Sequence, residues 1–275
     1  MAERLYHIGF GVDDLVPAGS GDRVTSKEAE RPTLVLLSGD PNRSAHIAHN
    51  RLTNAVVLSE NRGLNSYLAK LPNGKPVICA TSGMGGPSAS IVLNELAQLG
   101  MRTIIRVGTT GSIQPHVLAG SVIVSSGALR RQGAALDIAP VEFPAIADPF
   151  LTVELSKAAS AAGITHHVGI TASVDTFFEG QERSASSANP VLLRKHQGMT
   201  EEYRSLGILN YEMEAATVFT ASSVYGMAAG CVCAVIAQRT DGENVVFALK
   251  ENAVEDAITV AINAAVLWTN APLEE

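Results

Sequence analysis

One arginine interrupts an apolar, β-branched run and is followed at once by two hydroxyl side chains between glycines. The arginine is Arg106, and the hydroxyls belong to the segment Gly108-Thr-Thr-Gly111. An arginine inside an apolar run is rarely left without an anionic partner. If the strand ends in a tight turn there, the guanidinium, the hydroxyls and the free backbone N–H groups could hold an oxyanion such as phosphate. Alternatively, Arg106 pairs with a structural carboxylate and the threonines only close a turn.

A second cationic group follows the apolar strand predicted at residues 33–37. Its segment is Ser38-Gly-Asp-Pro-Asn-Arg43, in which Gly39 permits close backbone approach and Asp40 can cap a helix over about residues 44–50. Proline suits the first turn of that helix, and Arg43 projects beside its positive end. The segment could be an anion cradle or simply a well-capped helix with a solvated arginine.

A glutamine and an arginine two residues apart, Gln181 and Arg183, would point the same way in an extended loop. An amide offers a donor and an acceptor, whereas a guanidinium offers donors only. Together the two side chains match the O2, N3–H and O4 edge of a uracil ring, and Phe177 or Phe178 could stack on its face. A solvated loop is the alternative.

The carboxylate of Glu214 comes where a strand-like segment passes into a helix, a usual location for ligand contacts in α/β proteins. It could accept both hydroxyls of a ribose, or only complement the helix dipole. Arg239, at the end of the last apolar run, could contact a base edge or support the site from behind. His7 lies in a short strand or edge segment and Arg62 in a polar bend, and the residues alone assign both to the surface.

Alternating apolar strands and amphipathic helices must position these groups. Continuous apolar strands are predicted at residues 33–37, 76–81 and 230–236, and helices end near residues 99, 162 and 268. This alternation predicts an α/β fold with a largely parallel central sheet. No repeat or linker is visible, so we predict one domain over residues 1–275, with a flexible loop or insertion at residues 18–32.

Composition and charge argue against several classes of protein. The 275 residues are 46% hydrophobic and 17% charged, as in compact globular proteins. The net charge of −7 and the lack of a long basic run argue against nucleic-acid binding. Cys79, Cys231 and Cys233 lie in apolar runs without metal-ligand spacing, which predicts reduced cysteines, no metal site and a cytoplasmic location. Neither a membrane span nor a secretory signal is predicted.

The order and spacing of four motifs resemble the nucleoside phosphorylase family, and within it the members that act on uridine. The motifs are Gly-Asp-Pro-Asn-Arg43, Arg106-Val-Gly-Thr-Thr-Gly111, Thr-Phe-Phe-Glu-Gly-Gln-Glu-Arg183 and Tyr-Glu-Met-Glu214. The resemblance runs from about His7 to the last helix. It implies the family's single-domain α/β fold, a mixed central sheet flanked by helices.

The resemblance distributes the candidate residues over three subsites. It implies phosphate binding by Gly39, Arg43, Arg62, Arg106 and Thr109, ribose binding by His7, Thr109, Met213 and Glu214, and base binding by Thr110, Gly111, Phe177, Gln181, Arg183 and Arg239. Catalysis would rest on Arg106, Gln181, Arg183 and Glu214. Family members are typically homohexamers, trimers of dimers, so His7 and Arg62 would reach the site of a neighbouring subunit.

The implied activity is reversible phosphorolysis of uridine, and of deoxyuridine, to uracil and (deoxy)ribose 1-phosphate in pyrimidine salvage. Inorganic phosphate would be the co-substrate, and no organic cofactor is implied. A monovalent cation is a weaker expectation, because Gly63 stands where relatives often carry a glutamate, and Met84 and Ser88 match that site only in part.

Three alternatives stay open at this point. A hydrolytic nucleosidase of the same fold would not need Arg43, Arg62 and Arg106 to converge on an anion. A purine nucleoside phosphorylase usually has an aspartate where this chain has Arg239. A non-catalytic nucleoside-binding protein would be expected to have lost some phosphate or ribose ligands.

Overall fold

The computed structural model describes residues 4–15, 31–240, 242 and 244–270. The apolar, β-branched runs within these ranges form the strands β1 (Leu34–Ser38), β2 (Thr53–Ser59), β3 (Ser66–Lys70), β4 (Pro76–Thr81), β5 (Thr103–Ser112), β6 (Val122–Arg131), β7 (His166–Val174), β8 (Asn210–Glu212) and β9 (Ala228–Gln238). The helices are α1 (Pro41–His46), α2 (Gly86–Gln98), α3 (Gly133–Ile138), α4 (Pro149–Ala161), α5 (Met199–Ser205), α6 (Ala215–Val224) and α7 (Phe247–Asn270).

All of these strands belong to a single mixed sheet in the order β2-β3-β4-β1-β5-β8-β7-β6-β9. β9 also pairs with β5, so β5, β8, β7, β6 and β9 form a closed ring. The α/β class and the mixed sheet are confirmed. The expectation of a largely parallel sheet is also confirmed for the described residues, because β1–β4, β1–β5, β5–β9, β6–β7 and β7–β8 are parallel. The antiparallel pairs are β2–β3, β3–β4, β5–β8 and β6–β9.

The turn predicted at Gly108 to Gly111 is wrong. β5 continues through these residues, in parallel register with β9 from Thr103 opposite Ala228 to Ser112 opposite Gln238. Gly-Thr-Thr-Gly has the composition of a turn, but β9 provides backbone partners along the whole segment, and tertiary pairing overrides local preference. A bulge after Thr110 is the only trace of the irregularity in this described pair of strands.

Helices cover both faces of the sheet, as the continuous apolar strands predict. On one face, residues of α4 and α7 share a buried core with Leu36 and Val107, and on the other, residues of α2 and α6 share a buried core with Leu37 and Ile104. Successive residues of a strand, such as Leu36 and Leu37 of β1, thus point into cores on opposite faces of the sheet. Asp40 caps α1 by accepting a hydrogen bond from the N–H of Asn42 at 2.9 Å, as predicted.

Two other expectations bear on the described residues only in part. The loop or insertion predicted at residues 18–32 lies outside the described residues except for Arg31 and Pro32. No helix within the described ranges is both long and apolar enough to cross a membrane.

Candidate active site

A cavity of about 550 Å³ lies beyond the carboxyl ends of β1, β7, β8 and β9, against one side of β5. This is the edge of an α/β sheet where ligands usually bind. Of the predicted site residues, the cavity is lined by Gly39, Arg43, Arg106, Thr109, Thr110, Gly111, Phe177, Gln181, Arg183, Met213 and Glu214. His7, Arg62 and Arg239 do not line it.

Arg106 is held between two carboxylates at the cavity wall. It is 4% exposed; its Nε donates to Oε2 of Glu212 at 3.1 Å, and its Nη2 donates to Oε2 of Glu214. Burial alone would lower the pKa of Arg106, but the carboxylates of Glu214 and Glu212 outweigh it and keep the pKa above its ordinary value. The Nη1 group has no hydrogen-bond partner among the described residues. A permanent cation with one unused donor group therefore lines the cavity.

Arg43 brings a second guanidinium to the same place. Its Nη1 donates to the carbonyl oxygen of Val107 at 3.3 Å and to Oγ of Ser38 at 3.4 Å. Burial lowers the pKa of Arg43, Asp40 opposes that effect, and the nearby positive charge of Arg106 lowers it further. An anion bound beside both guanidiniums would relieve their mutual repulsion.

The two acidic residues at the end of β8 have different surroundings. Glu212 accepts hydrogen bonds from the N–H groups of Glu214 at 2.8 Å and Ala215 at 2.9 Å, so it caps the start of α6. Glu214 accepts a hydrogen bond from the N–H of Gly85 at 2.5 Å. Burial raises the pKa of Glu214, Arg106 counteracts this, and the like charge of Glu212 raises the pKa again. Glu214 is thus a buried carboxylate whose pKa lies above the ordinary value.

Gln181 and Arg183 are buried at another part of the cavity and touch each other, with Nε of Arg183 donating to Oε1 of Gln181 at 3.1 Å. The Arg183 guanidinium lies 4.2 Å from the ring centroid of Phe177. The extended loop predicted between them is wrong, because Glu182 has a left-handed backbone with φ of +53°. The two side chains converge through this reversal of the chain.

Arg239 supports this loop from behind, which is one of the two roles predicted for it. Its Nη1 donates to the carbonyl oxygen of Gln181, and its Nη2 donates to that of Glu182 at 3.4 Å. Thr110 also has a supporting contact, because its hydroxyl donates to the carbonyl oxygen of Tyr211 on β8 at 2.6 Å. Both residues hold the wall of the cavity in place.

Two glycines of β5 lie close to the two buried arginines. A Cβ on Gly108 would lie 3.0 Å from Nη2 of Arg106, and a Cβ on Gly111 would lie 3.5 Å from Nη2 of Arg183. The two glycines are three residues apart on one strand, which corresponds to roughly 10 Å. Glycine at both positions lets each guanidinium approach the backbone closely.

The chain segments that carry His7 and Arg62 meet near the surface, away from the cavity lining. His7 Nδ1 lies 2.6 Å from Oε1 of Glu95, and Arg62 Nη2 donates to the hydroxyl of Tyr6 at 2.9 Å. Asn61 joins the two segments, since its Nδ2 donates to the carbonyl oxygens of Tyr6 at 3.0 Å and His7 at 2.8 Å. We call Tyr6, His7, Asn61 and Arg62 the N-terminal patch. A single copy of the chain does not bring this patch to the predicted site.

Comparison with known proteins identifies the family. Residues 33–267 match the model of the Phosphorylase superfamily. The chain belongs to this family. It is 46% identical to the uridine phosphorylase of Escherichia coli (strain K12) over 220 residues, which are 80% of this chain and 86% of the relative. It is 42% identical to the uridine phosphorylase of Haemophilus influenzae over 242 residues, which are 88% and 95% of the two chains.

A more distant relative carries a different name. The chain is 30% identical over 245 residues, 86% of its own length and 95% of the relative's, to the guanosine phosphorylase of Halorubrum lacusprofundi. Relatives that are named for different nucleosides, uridine and guanosine, thus align with this protein over most of its length.

Two residues that hold the site in place, Gln132 and Glu212, are not assigned by the sequence analysis, and the reasons differ. Gln132 is fully buried; its Nε2 donates to the carbonyl oxygen of Met213, and its Oε1 accepts from the N–H of Thr217 at 3.0 Å. A lone glutamine between β6 and α3 carries no local signal for this role. Glu212, by contrast, lies two residues before Glu214 in a strand-like segment, and that spacing could have suggested that it shares the site.

Proposed function

We propose that this member of the superfamily catalyses the reversible phosphorolysis of uridine to uracil and ribose 1-phosphate. The observation that carries the proposal is that a single cavity is lined by Arg43 and Arg106, by Glu214, and by Gln181 and Arg183. The carboxylate of Glu214 is bonded to Arg106. The first two arginines suit an anion, the carboxylate suits the hydroxyls of a ribose, and the Gln181–Arg183 pair suits the edge of a base. We place the reaction in cytoplasmic pyrimidine salvage, with deoxyuridine as a further substrate.

Inorganic phosphate is the proposed co-substrate, and the reaction as proposed uses no organic cofactor. Arg106 and Arg43 would hold the phosphate, together with Gly39 and Thr109 at the cavity wall. The unused Nη1 of Arg106 and the depressed pKa of Arg43 support this assignment, since both are consistent with a site built for an anion.

The ribose is proposed to lie against Met213 and Glu214, which line the cavity beside Arg106. The ionised carboxylate of Glu214 can accept hydrogen bonds from ribose hydroxyls. The pair with Arg106 favours the ionised form, and the hydrogen bond from Gly85 fixes its orientation.

Phe177, Gln181 and Arg183 are proposed to hold the uracil ring, with Thr110, Gly111 and Arg239 shaping the wall behind it. As the C1′–N1 bond breaks, its electron pair passes to uracil, and an oxygen of phosphate forms the new bond to C1′ of the oxocarbenium-like ribose. Gln181 and Arg183 stabilise the negative charge on the departing base. The arginines around phosphate contribute by holding the nucleophile in line.

We also propose that the complete site needs a second copy of the chain, within a hexamer built from dimers. His7 would reach the 5′ end of the ribose, and Arg62 would join the phosphate subsite, each from the neighbouring subunit. Two observations support this: both residues lie together in the N-terminal patch, and neither lines the cavity of its own copy.

The alternatives are less well supported by the same geometry. Hydrolysis would not need Arg43 and the buried Arg106 to converge at Val107 and Gly108. Purine phosphorolysis is the nearest rival because of the relative named for guanosine, but the buried Gln181–Arg183 pair matches a pyrimidine edge.

The deciding experiment follows uridine absorbance with and without phosphate and repeats the assay with inosine. We expect turnover that requires phosphate and prefers uridine. Turnover without phosphate would favour a hydrolase, and preference for inosine would favour a purine enzyme. No turnover of uridine, deoxyuridine or thymidine would defeat the proposal.

A further inference from the structure

Glu182 lies between the two residues of the proposed base subsite, but its side chain contacts a different element. Its two carboxylate oxygens accept hydrogen bonds from the N–H of Gly198 and, at 2.7 Å, from the N–H of Thr200. Both donors belong to the start of α5, where backbone N–H groups lack intrahelical partners and attract negative charge. The carboxylate therefore ties the base loop to α5.

The backbone of Glu182 is in a conformation that its residue type rarely adopts. Its φ of +53° lies in the left-handed region, and only Asn54 and Arg62 share a positive φ among the described non-glycine residues. A residue with a Cβ stays there only when its surroundings hold it. The bonds to α5 provide one such restraint.

A second restraint comes from the opposite side of the loop. Arg239 donates to the carbonyl oxygens of Gln181 and Glu182, and the N–H of Arg183 donates to the carbonyl oxygen of Phe178 at 2.7 Å. The peptide units on both sides of Glu182 are thus fixed by hydrogen bonds. Within this frame the left-handed residue turns the chain so that Arg183 meets Gln181.

We infer that Glu182 is a positioning residue for the base: its carboxylate holds the reversed loop in which Gln181 and Arg183 are already aligned before uracil binds. This inference rests on the proposed function, since it concerns the same base subsite. Without the anchor, residue 182 can relax to a negative φ, which separates the two side chains. A loss of pre-organisation weakens base binding and the stabilisation of the leaving group together.

The test compares Glu182→Ala, Glu182→Gln and Glu182→Gly with the wild-type chain. Glu182→Gln keeps the shape and one acceptor oxygen but turns an NH₂ group toward the other N–H. Glu182→Gly removes the anchor while it relieves the left-handed strain. Glu179→Gln is the matched control, because it removes a carboxylate charge from the same loop. Kinetics with uridine varied and with phosphate varied, together with calorimetric binding of uracil, give the readouts.

We expect Glu182→Ala and Glu182→Gly to lower kcat/KM for uridine by about tenfold to a hundredfold, as misplacement of aligned groups does. Uracil binding should weaken in parallel, and KM for phosphate should stay within about twofold, because positioning acts only on the base end. Glu182→Gln should fall between these variants and the wild type, and Glu179→Gln should match the wild type.

Four results would overturn the inference. They are unchanged uridine kinetics in Glu182→Ala, equal losses for uridine and phosphate, wild-type behaviour of Glu182→Gly, and a loss in Glu179→Gln as large as in Glu182→Ala. If Glu182→Ala does not fold, the near-isosteric Glu182→Gln decides, because its kcat/KM for uridine should fall while its KM for phosphate stays unchanged. Wild-type turnover in the same assay separates the two proposals: its absence defeats the proposed function, whereas equal turnover of wild type and Glu182 variants defeats only this inference.

Discussion

Arg183 is the side chain that tests whether the base subsite contributes to catalysis as well as to binding. Its guanidinium is buried against Phe177 and bonded to Gln181, which places it to stabilise the negative charge that develops on uracil. We expect Arg183→Ala to lower kcat about a hundredfold, the usual effect of losing one donor to a developing anion, and to raise KM for uridine. Steady-state kinetics check this, with Arg194→Ala, an exposed arginine farther along the chain, as control. An unchanged kcat would contradict the assignment.

The raised pKa of Glu214 should make kcat/KM for uridine depend on pH. Burial and the charge of Glu212 raise the pKa of Glu214 above its ordinary value of 4.5, although Arg106 opposes them. Only the ionised carboxylate accepts hydrogen bonds from both ribose hydroxyls, so kcat/KM for uridine should fall as pH drops through this raised pKa. Glu212→Gln removes the like charge and should lower the pKa of Glu214. The acid limb of the profile should therefore move to lower pH.

The measurement is kcat/KM for uridine as a function of pH in the wild type and in Glu212→Gln. The position of the acid limb matters here, because loss of the α6 cap can lower the activity of the variant at every pH. A limb that stays in place or moves to higher pH would show that Glu214 is not the group that titrates.

At the scale of elements, β5 is the part of the fold that sets the site, and Gly108 tests it. A Cβ at this position would lie 2.8 Å from Sγ of Cys233 and 3.0 Å from Nη2 of Arg106. Gly108→Ala should therefore push the guanidinium aside, raise KM for phosphate and destabilise the fold by about 1–3 kcal/mol through overpacking. Phosphate kinetics and urea unfolding measure both effects. Gly133→Ala, where the new Cβ meets only Asp175 at 3.7 Å, should leave both near wild type.

Elements were predictable where the signal was local. The runs that form β1, β4 and β9 and the periodicity of α7 are visible in short windows, and the cap at Asp40 needs only its neighbours. The turn predicted from Gly108 was wrong, because the strand that keeps β5 extended there is β9, which lies more than a hundred residues later in the chain. The carboxylates that hold Arg106 are equally distant, so the sequence could suggest an anionic partner but could not identify Glu212 and Glu214.

At the scale of the whole molecule, one copy of the chain brings together most of the predicted site but not its two surface residues. His7 is fixed by Glu95, and Arg62 is stacked on Tyr6 at 5.0 Å, so both belong to the outer face of the fold. Tyr6 is 72% exposed, so its contact with Arg62 lies at the surface. An exposed, pre-oriented cation outside the cavity is consistent with donation to another copy of the chain.

Subunit complementation tests the proposed donation of Arg62 directly. Arg62→Ala keeps its own cavity intact but cannot donate, whereas Arg106→Ala has a defective cavity but donates a normal Arg62. Each variant alone should be nearly inactive. When the two are refolded together, mixed dimers contain one site with an intact cavity and a donated Arg62, so about a quarter of wild-type activity should return if pairing is random and symmetric.

The matched control pairs Arg106→Ala with Arg183→Ala. Both substitutions damage the cavity itself, so neither site of a mixed dimer is complete, and refolding the two together should restore nothing. Activity is measured as phosphate-dependent loss of uridine, with sedimentation to verify that mixed oligomers form. Recovery in the control would mean that the cavity residues also cross between copies. Full activity of Arg62→Ala alone, or no recovery in its mixture with Arg106→Ala once mixed oligomers are present, would show that each copy works with its own cavity only.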